Sequence, residues 1–394
     1  MMERRELPRG WEWRTLRNLV KVKYGKSLSE SQRLGGDVPV YGANGVVGFH
    51  NASITKGQTI VIGRKGSAGA VNWSEIACWP IDTTFFIDEF PEVLYPKFIY
   101  QFLRSQQIDR FQQSAAIPGL NRDVLYSVEV PIPSPDDPAR SLAEQRRIVA
   151  WLELLLGETR AMREDIQAMH RDLAQVMDSV LAEVFPNPNG KMPRGWGWRR
   201  LGDIAPEDSQ QIFPTDYPEH LFNYWGLDAT EKGQIDEPAP NFVAGSSIKS
   251  ACIKFTSEHV LYCKLRPYLN KVIVPSSEGI GSTEWVPLRP NPEIIERKFL
   301  AFALRTPQFV QYATSNVAGA RMPRMSKRAL EETKIPIPYP DDPACSLAEQ
   351  RRIVAYLEHI AEEIRAMDDV LAQDLRDIEV LEQSILAAAF RGEV

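Results

Sequence analysis

The sequence predicts an α+β protein written twice: two mixed α/β blocks and two long helices, with internal tandem pseudo-symmetry. Repeated motifs, a helical apolar period and alternating charge carry this reading. Pro131–Glu153 returns at Pro336–Glu358 with 20 of 23 positions identical, at an offset of 205. Pro8–Leu16 returns as Pro193–Leu201 with seven of nine identical, at an offset of 185. Such self-similarity marks an architecture used more than once. Residues 17–125 and 202–330, between the markers, share little sequence. Two like frames therefore hold unlike contents.

Each closing motif runs into a long helix. Ser141 with Glu144, and Ser346 with Glu349, fit the capping box, in which hydroxyl and carboxylate satisfy first-turn N–H groups. The preceding prolines read as a block to any earlier start. Apolar positions then step by four and three: Ile148, Leu152, Leu155, Thr159, Met162, Ile166, Met169, Leu173, Val176 and Val180 in the first helix. The second gives Ile353, Leu357, Ile360, Ile364, Met367, Leu371, Asp374, Ile378, Leu381 and Ile385. A seam of period 3.5 held over several heptads predicts a coiled coil, with Asp374 as the exception, there either to fix register or to face a cleft. Antiparallel pairing within the chain is expected, with the two basic blocks at opposite ends of a rod. The expected domains are 1–138, the helix 139–187, 188–343, and the helix 344–394.

The blocks read as mixed α/β. Gln58–Ile62 is a short apolar strand, followed by the glycine-rich Gly63-Arg64-Lys65-Gly66-Ser67-Ala68-Gly69 and a second strand at Ala70–Trp73. His259–Cys263 leads likewise into Lys264–Lys271 and then Val272–Val274. Lys97–Arg104 and Lys298–Arg305 have helical spacing. Trp11, Trp13, Trp196 and Trp198 are expected to pack within the frames.

Net charge is −6, but unevenly distributed. Residues 1–130 hold 16 Lys+Arg against 13 Asp+Glu, and residues 191–335 hold 19 against 16. The helical stretches 131–190 and 336–394 hold 6 against 10 and 5 against 13. An acidic total is compatible with polyanion binding when basic residues are segregated. No apolar run approaches the roughly 18 residues of a membrane helix, and Met1–Pro8 has no apolar core of a secretory signal. Four scattered cysteines, with no C-x-x-C pair, argue against a disulfide or zinc framework. A reduced, cytoplasmic chain without membrane contact is expected.

Catalytic motifs fail one by one. Tyr24-Gly25-Lys26-Ser27 resembles the end of a phosphate loop, but Val20 stands where its first glycine belongs. Gly63-x-x-Gly66-x-x-Gly69 lacks the dinucleotide spacing, and its G-x-x-G form lacks the two helices of a KH loop. Five histidines form no ligand spacing. Glu296-Arg297-Lys298 has a nuclease-like E-x-K spacing without a preceding acid on a strand. There is no Asn/Asp-Pro-Pro-aromatic motif of an amino-methyltransferase.

Binding explains the basic loops better. Arg and Lys clamp phosphates or read guanine edges, and Asn reads adenine. Nucleic-acid contact is expected from Arg64, Lys65, Lys264, Arg266, Asn270 and Lys271, with Ser67 and Asn72 lining a groove. Arg321, Arg324, Lys327, Arg122, Asn44 and His50 are further candidates.

Two unlike blocks, each opened by P-R-G-W-x-W-R-x-L and closed by P-I-P-x-P-D-D-P then S-L-A-E-Q-R-R-I-V-A-x-L-E, resemble the specificity subunit of type I restriction–modification systems. Gly57–Ser67 is also similar to a frequent segment of that family's target recognition domains. The resemblance implies that each block is a target recognition domain reading half of a bipartite duplex DNA sequence. It implies that the seam (Ile148, Leu152, Leu155, Ile353, Leu357, Ile360) belongs to a spacer coiled coil. The helix starts (Glu144, Gln145, Arg147, Glu349, Gln350, Arg352) would help dock two methyltransferase subunits. The chain itself would be non-catalytic and without cofactor. S-adenosylmethionine, ATP and magnesium would belong to those methyltransferases and to ATP-dependent restriction subunits. The helix starts read equally well as capping and solvated charge. A coiled-coil adaptor with two protein-binding heads, or an RNA-binding scaffold, are the alternatives from the residues alone.

Overall fold

The computed structural model describes residues 7–106, 108, 119–233, 235–319 and 321–394. The Met1–Glu6 part of the signal reading lies outside them. The chain divides into two compact units, residues 1–167 with 372–394, and residues 168–371.

Each unit is closed by its own pair of repeats. In the first, Trp11–Thr15 pairs antiparallel with Glu129–Pro133, Trp11 opposite Pro133 and Trp13 opposite Pro131. In the second, Trp196–Arg200 pairs with Lys334–Pro338, Trp196 opposite Pro338 and Trp198 opposite Pro336. The opening and closing motifs are thus two strands of one ribbon. A two-stranded ribbon tolerates prolines, which cannot donate to a central ladder. Val130 and Ile132, and Ile335 and Ile337, point into the cores, and Trp11 and Trp196 pack partly buried against them.

In the first unit a four-stranded sheet runs in the order Lys23–Tyr24, Thr84–Ile87, Thr59–Gly63, Val71–Ser74, all antiparallel. Every residue of Thr59–Gly63 is buried, which explains its unbroken apolar run. Gly45–His50, Val38–Gly42 and Trp79–Pro80 form a second sheet. The helix Pro96–Ser105 buries Phe98, Ile99, Phe102 and Leu103, with proline at its first turn, where no N–H is missed. Ile148, Leu152 and Leu156 of the first long helix and Ile385, Leu386 and Phe390 of the second complete this core.

In the second unit, Val272–Ile273, Val260–Cys263 and Trp285–Leu288 form a three-stranded sheet. A five-stranded sheet runs Gln210–Ile212, Cys252–Phe255, Gly279–Ser282, Leu221–Trp225, Phe242–Ala244. The helix Arg297–Ala303 buries Phe299, Leu300 and Phe302 among Leu181, Phe185, Ile353 and Leu357 of the long helices.

The long helices span Pro138–Val184 and Pro343–Arg391. Both start three residues before the expected serines. Asp137 Oδ1 accepts from the Arg140 N–H, and Asp342 Oδ1 from the Cys345 N–H, each at 3.1 Å. The aspartates are therefore the N-caps, and Pro138 and Pro343 occupy the first helical position, which proline suits. The capping-box reading of Ser141 with Glu144 and Ser346 with Glu349 is corrected accordingly.

The paired faces also differ from the strict seam. In the first unit Thr159 Oγ1 donates to Glu382 at 3.2 Å, and Arg163 pairs with Glu382 at 3.1 Å and Glu379 at 3.6 Å. In the second, His170 Nδ1 lies 3.0 Å from Asp368. Within the first unit, rising numbers on one helix meet falling numbers on the other. Met162, Met169, Val176, Met367, Asp374 and Leu381 are exposed. Arg163, His170, Met177, Leu375 and Glu382, one position further on, turn inward. Alternate seam positions thus fall on the exposed side, and charged pairs such as Arg163–Glu382 and His170–Asp368 stand between the helices at those levels.

Candidate nucleic-acid interface

In the first unit the basic loop is built by close backbone approach. A Cβ on Gly63 would lie 2.1 Å from the Ser67 carbonyl oxygen and 2.9 Å from that of Ala43. Glycine alone allows the loop to fold back there. The Arg64 N–H donates to Thr83 O at 2.8 Å, and the Leu120 N–H donates to Arg64 O at 2.9 Å. Asn72 Nδ2 donates to Ala43 O at 3.5 Å. Segments 43–45, 63–69, 82–84 and 119–122 thereby converge, and with them Asn44, Arg64, Lys65, Ser67, Asn72 and Arg122.

These side chains differ in freedom. The Arg64 Nε and Nη2 donate to Asp82 O at 3.3 and 2.7 Å, and its guanidinium lies 5.6 Å from the Tyr24 ring centroid. Arg122 lies 4.9 Å from the same ring. Lys65, Ser67 and Asn44 are exposed, and the Lys65 ammonium has no partner among the described residues. His50 is removed from the surface: it is 7% exposed, its Nδ1 accepts from the Leu34 N–H at 3.2 Å, and its ring edge meets Trp79. It is a packed histidine.

The second unit repeats the scaffold. The Lys264 N–H donates to Glu284 O at 3.1 Å, the Arg266 N–H to Pro323 O at 2.8 Å, and the Met325 N–H to Lys264 O at 2.9 Å. In both units the loop after a buried strand is tied to the segment preceding a short helix, Arg122–Tyr126 or Lys327–Glu331. The side chains depart from expectation. Asn270 is 5% exposed, and its Nδ2 donates to Arg305 O at 3.1 Å. Lys271 donates to Leu227 O at 2.5 Å and Lys264 to Thr283 O at 2.7 Å. Arg324 clasps Glu284 at 2.7–3.0 Å, and Lys327 pairs with Glu207 at 2.5 Å. Arg266 and Arg321 are exposed and have no side-chain partner among the described residues.

At the helix starts, Arg147 clasps Glu144 at 2.8–2.9 Å and Arg352 clasps Glu349 at 2.8 Å. These bonds hold both carboxyls below the usual carboxylate range. Gln145 and Gln350 are fully buried. Each donates to a backbone carbonyl and accepts from a backbone N–H of its own unit. That removes both amides from any surface a partner could touch. The sequence signal was available: a glutamine between charged residues, repeated identically in both closing motifs.

The nuclease-like Glu296 and Lys298 have structural partners. Glu296 accepts from the Phe299 N–H at 2.7 Å and Lys298 pairs with Glu358. Among the described residues no cluster of His, Cys, Asp and Glu could hold a metal. The cysteines are free, and burial pushes the Cys252 and Cys263 thiols up to about 11. No helix among them is long and apolar enough to cross a membrane. A groove of about 830 Å³ opens at the Thr256–His259 end of the second unit's central strand, rimmed by Tyr217, Leu221 and Phe242. It lies at the end of that strand away from the basic loop.

Comparison with known proteins matches this arrangement. The profile described as the type I restriction modification DNA specificity domain matches residues 8–168 and 193–372. The chain is 23% identical over 420 residues to the type I restriction enzyme EcoDI specificity subunit of Escherichia coli, covering 99% of this chain and 90% of that protein. It is 26% identical over 170 residues to the EcoAI specificity subunit of Escherichia coli, covering 42% of this chain and 28% of that one. A solved chain from work on complex assembly and conformational transition of the type I R-M system superposes with a TM-score of 0.72. It is 22% identical, with 99% of this chain and 100% of that chain covered. The HsdS subunit from Thermoanaerobacter tengcongensis gives 0.54 at 24% identity, with 100% and 99% covered. Two specificity domains, each framed by its own repeat pair, account for most of the length, and the chain belongs to the type I restriction–modification DNA specificity family.

Proposed function

We propose that the chain recognises a bipartite duplex DNA target, one half-site per unit, and directs partner subunits to it without performing chemistry itself. The observation that carries this is the shared loop scaffold. Equivalent backbone bonds tie Arg64 to Thr83 and Leu120 in one unit and Lys264 to Glu284 and Met325 in the other, yet the loops present different side chains. One support with interchangeable contents suits two independent readers. Among the described residues of the second unit's basic loops, Lys264, Lys271, Arg324 and Lys327 are engaged with carbonyls or carboxylates, which lowers the number of loop cations available to neutralise phosphates.

The partners proposed are two adenine methyltransferase subunits and ATP-dependent restriction subunits, which would hold S-adenosylmethionine, ATP and magnesium. The long helices offer them a surface. In the first unit Leu154, Met162, Val380 and Leu381 are exposed, and in the second Met169, Tyr356, Met367 and Val370. Exposed apolar residues on the same helices as the Glu144–Arg147 and Glu349–Arg352 pairs suit a helical partner.

The test begins by sequencing methylated bases in the source DNA. Binding of the full chain to duplexes carrying that sequence is then titrated against salt. Tighter binding to the cognate duplex than to scrambled duplex or RNA is expected. Preference for RNA, or no nucleic-acid binding, would favour a scaffold or adaptor instead.

A further inference from the structure

Tyr24-Gly25-Lys26, set aside as a failed phosphate loop, has a structural reason. A Cβ on Gly25 would lie 2.0 Å from the Ile81 carbonyl oxygen and 2.7 Å from that of Pro80. Only glycine lets this edge strand press onto the 80–81 backbone, where the Gly25 N–H donates to Thr84 O at 3.1 Å and the Lys26 N–H to Pro80 O at 3.0 Å. That contact places the Tyr24 ring beside the basic loop. The ring meets the edge of Phe85 at 5.0 Å and is flanked by Arg122 at 4.9 Å and Arg64 at 5.6 Å. Half of the tyrosine is nevertheless exposed, and its hydroxyl has no partner among the described residues. A half-exposed aromatic held against Phe85 beside two cations, its hydroxyl without a partner among the described residues, is a built contact surface. Ring and guanidinium hold each other by the quadrupole attraction of a cation for an aromatic face.

We infer that Tyr24 is a specificity-determining contact of the first reader, and that Arg64 is the residue that positions it. This rests on the reading that the first unit binds duplex DNA. Arg64 has Nε and Nη2 engaged with Asp82 O and its guanidinium 5.6 Å from the Tyr24 ring centroid, so it orients the ring. Lys65, exposed and without a partner among the described residues, supplies the phosphate contact. Tyr24 presents its hydroxyl and ring edge to a base.

The experiment uses the full chain and duplexes altered in the first or the second half-site. Tyr24→Leu keeps apolar bulk against Phe85, and Tyr24→Ala removes it. Both are expected to lose about 5- to 150-fold affinity for the cognate duplex, the range of a lost base contact. Discrimination at the first half-site falls and that at the second stays. Gly25→Ala should give the same pattern by displacing the ring. Arg64→Lys, which keeps the charge, should reduce first-half discrimination with an unchanged salt slope. Lys65→Ala should flatten the slope by about one ion while keeping discrimination. Wild-type discrimination in folded Tyr24→Leu and Tyr24→Ala would overturn the inference while leaving the two-reader function standing. A wild-type chain that distinguishes no duplexes would overturn both.

Discussion

Gln145 accepts the Tyr95 N–H at 2.8 Å from a fully buried position, and its Nε2 donates to Val93 O at 3.1 Å. Gln350 does the same with the Glu296 N–H and Ile294 O, both at 2.9 Å. Each glutamine hooks a long helix onto the turn that starts its unit's helix, Pro96–Ser105 or Arg297–Ala303. Gln145→Ala takes the partner from the part-buried Tyr95 N–H and Val93 carbonyl and empties a fully buried side-chain site, costing on the order of 1 kcal/mol for each lost bond. Urea unfolding should show that loss. Weaker methyltransferase association at unchanged stability would instead restore Gln145 to the partner surface.

Exchanging residues 17–125 for those of another family member leaves both strands of the Trp11–Thr15/Glu129–Pro133 ribbon in place. The chimera should methylate a target changed in one half only, read by sequencing modified bases. A change in both halves would sink the two-reader scheme.

In the second unit the cations should separate by their partners. Arg266→Ala and Arg321→Ala should each lower the salt slope of binding by about one ion. Lys271→Ala and Asn270→Ala, whose side chains bond to Leu227 O and Arg305 O, should lower stability and leave the slope unchanged. Equal slopes in all four variants would remove this loop from the interface.

The Glu89 carboxyl is held at about 2, below its ordinary 4.5, by hydrogen bonds from Lys56 and then Lys23. A depressed carboxylate contributes stability above its unfolded value and loses it as pH falls. This pair's contribution is therefore complete above about pH 4.5 and fades towards pH 2. Carboxylate NMR titration of Lys56→Ala should move Glu89 up towards 4.5; an unmoved titration would contradict the assignment.

Both long helices continue across the division between units, at 167/168 and 371/372. Four residues inserted in each, near Ala168 and Ala372, add about 6 Å at 1.5 Å per residue. That is roughly two base pairs at 3.4 Å each. If helix length sets the gap between half-sites, methylation should keep both halves and lengthen only the non-specific gap. An unchanged gap in an active variant would show that the helices do not measure it.

The frames were legible because their signals are local and written twice. The apolar runs at 58–62 and 259–263 became buried central strands, and the helices at 97–104 and 298–305 appeared within a residue or two of the expected bounds. The helix starts were misread because serine with glutamate outweighed the shorter signal of aspartate before proline. The basic loops were found, but charge alone could not distinguish Lys271, which reaches a carbonyl, from Arg266, which reaches none among the described residues.

By itself the sequence determined the double architecture, the two long helices, the basic loops and the family they resemble. These follow from repetition, from apolar period and from residue type, all properties of neighbours along the chain. Only the tertiary structure decided which polar side chains are free to meet a partner. His50, Asn270, Gln145 and Gln350 look like surface residues in the sequence, yet each is buried among backbone donors and acceptors that come from 16 to 56 residues away. Tyr24 is the converse. Its place beside Arg64 depends on Gly25 pressing against Ile81, a contact between segments that no local pattern encodes. A buried backbone group must find a partner wherever the fold supplies one, and that search ends in space rather than along the chain.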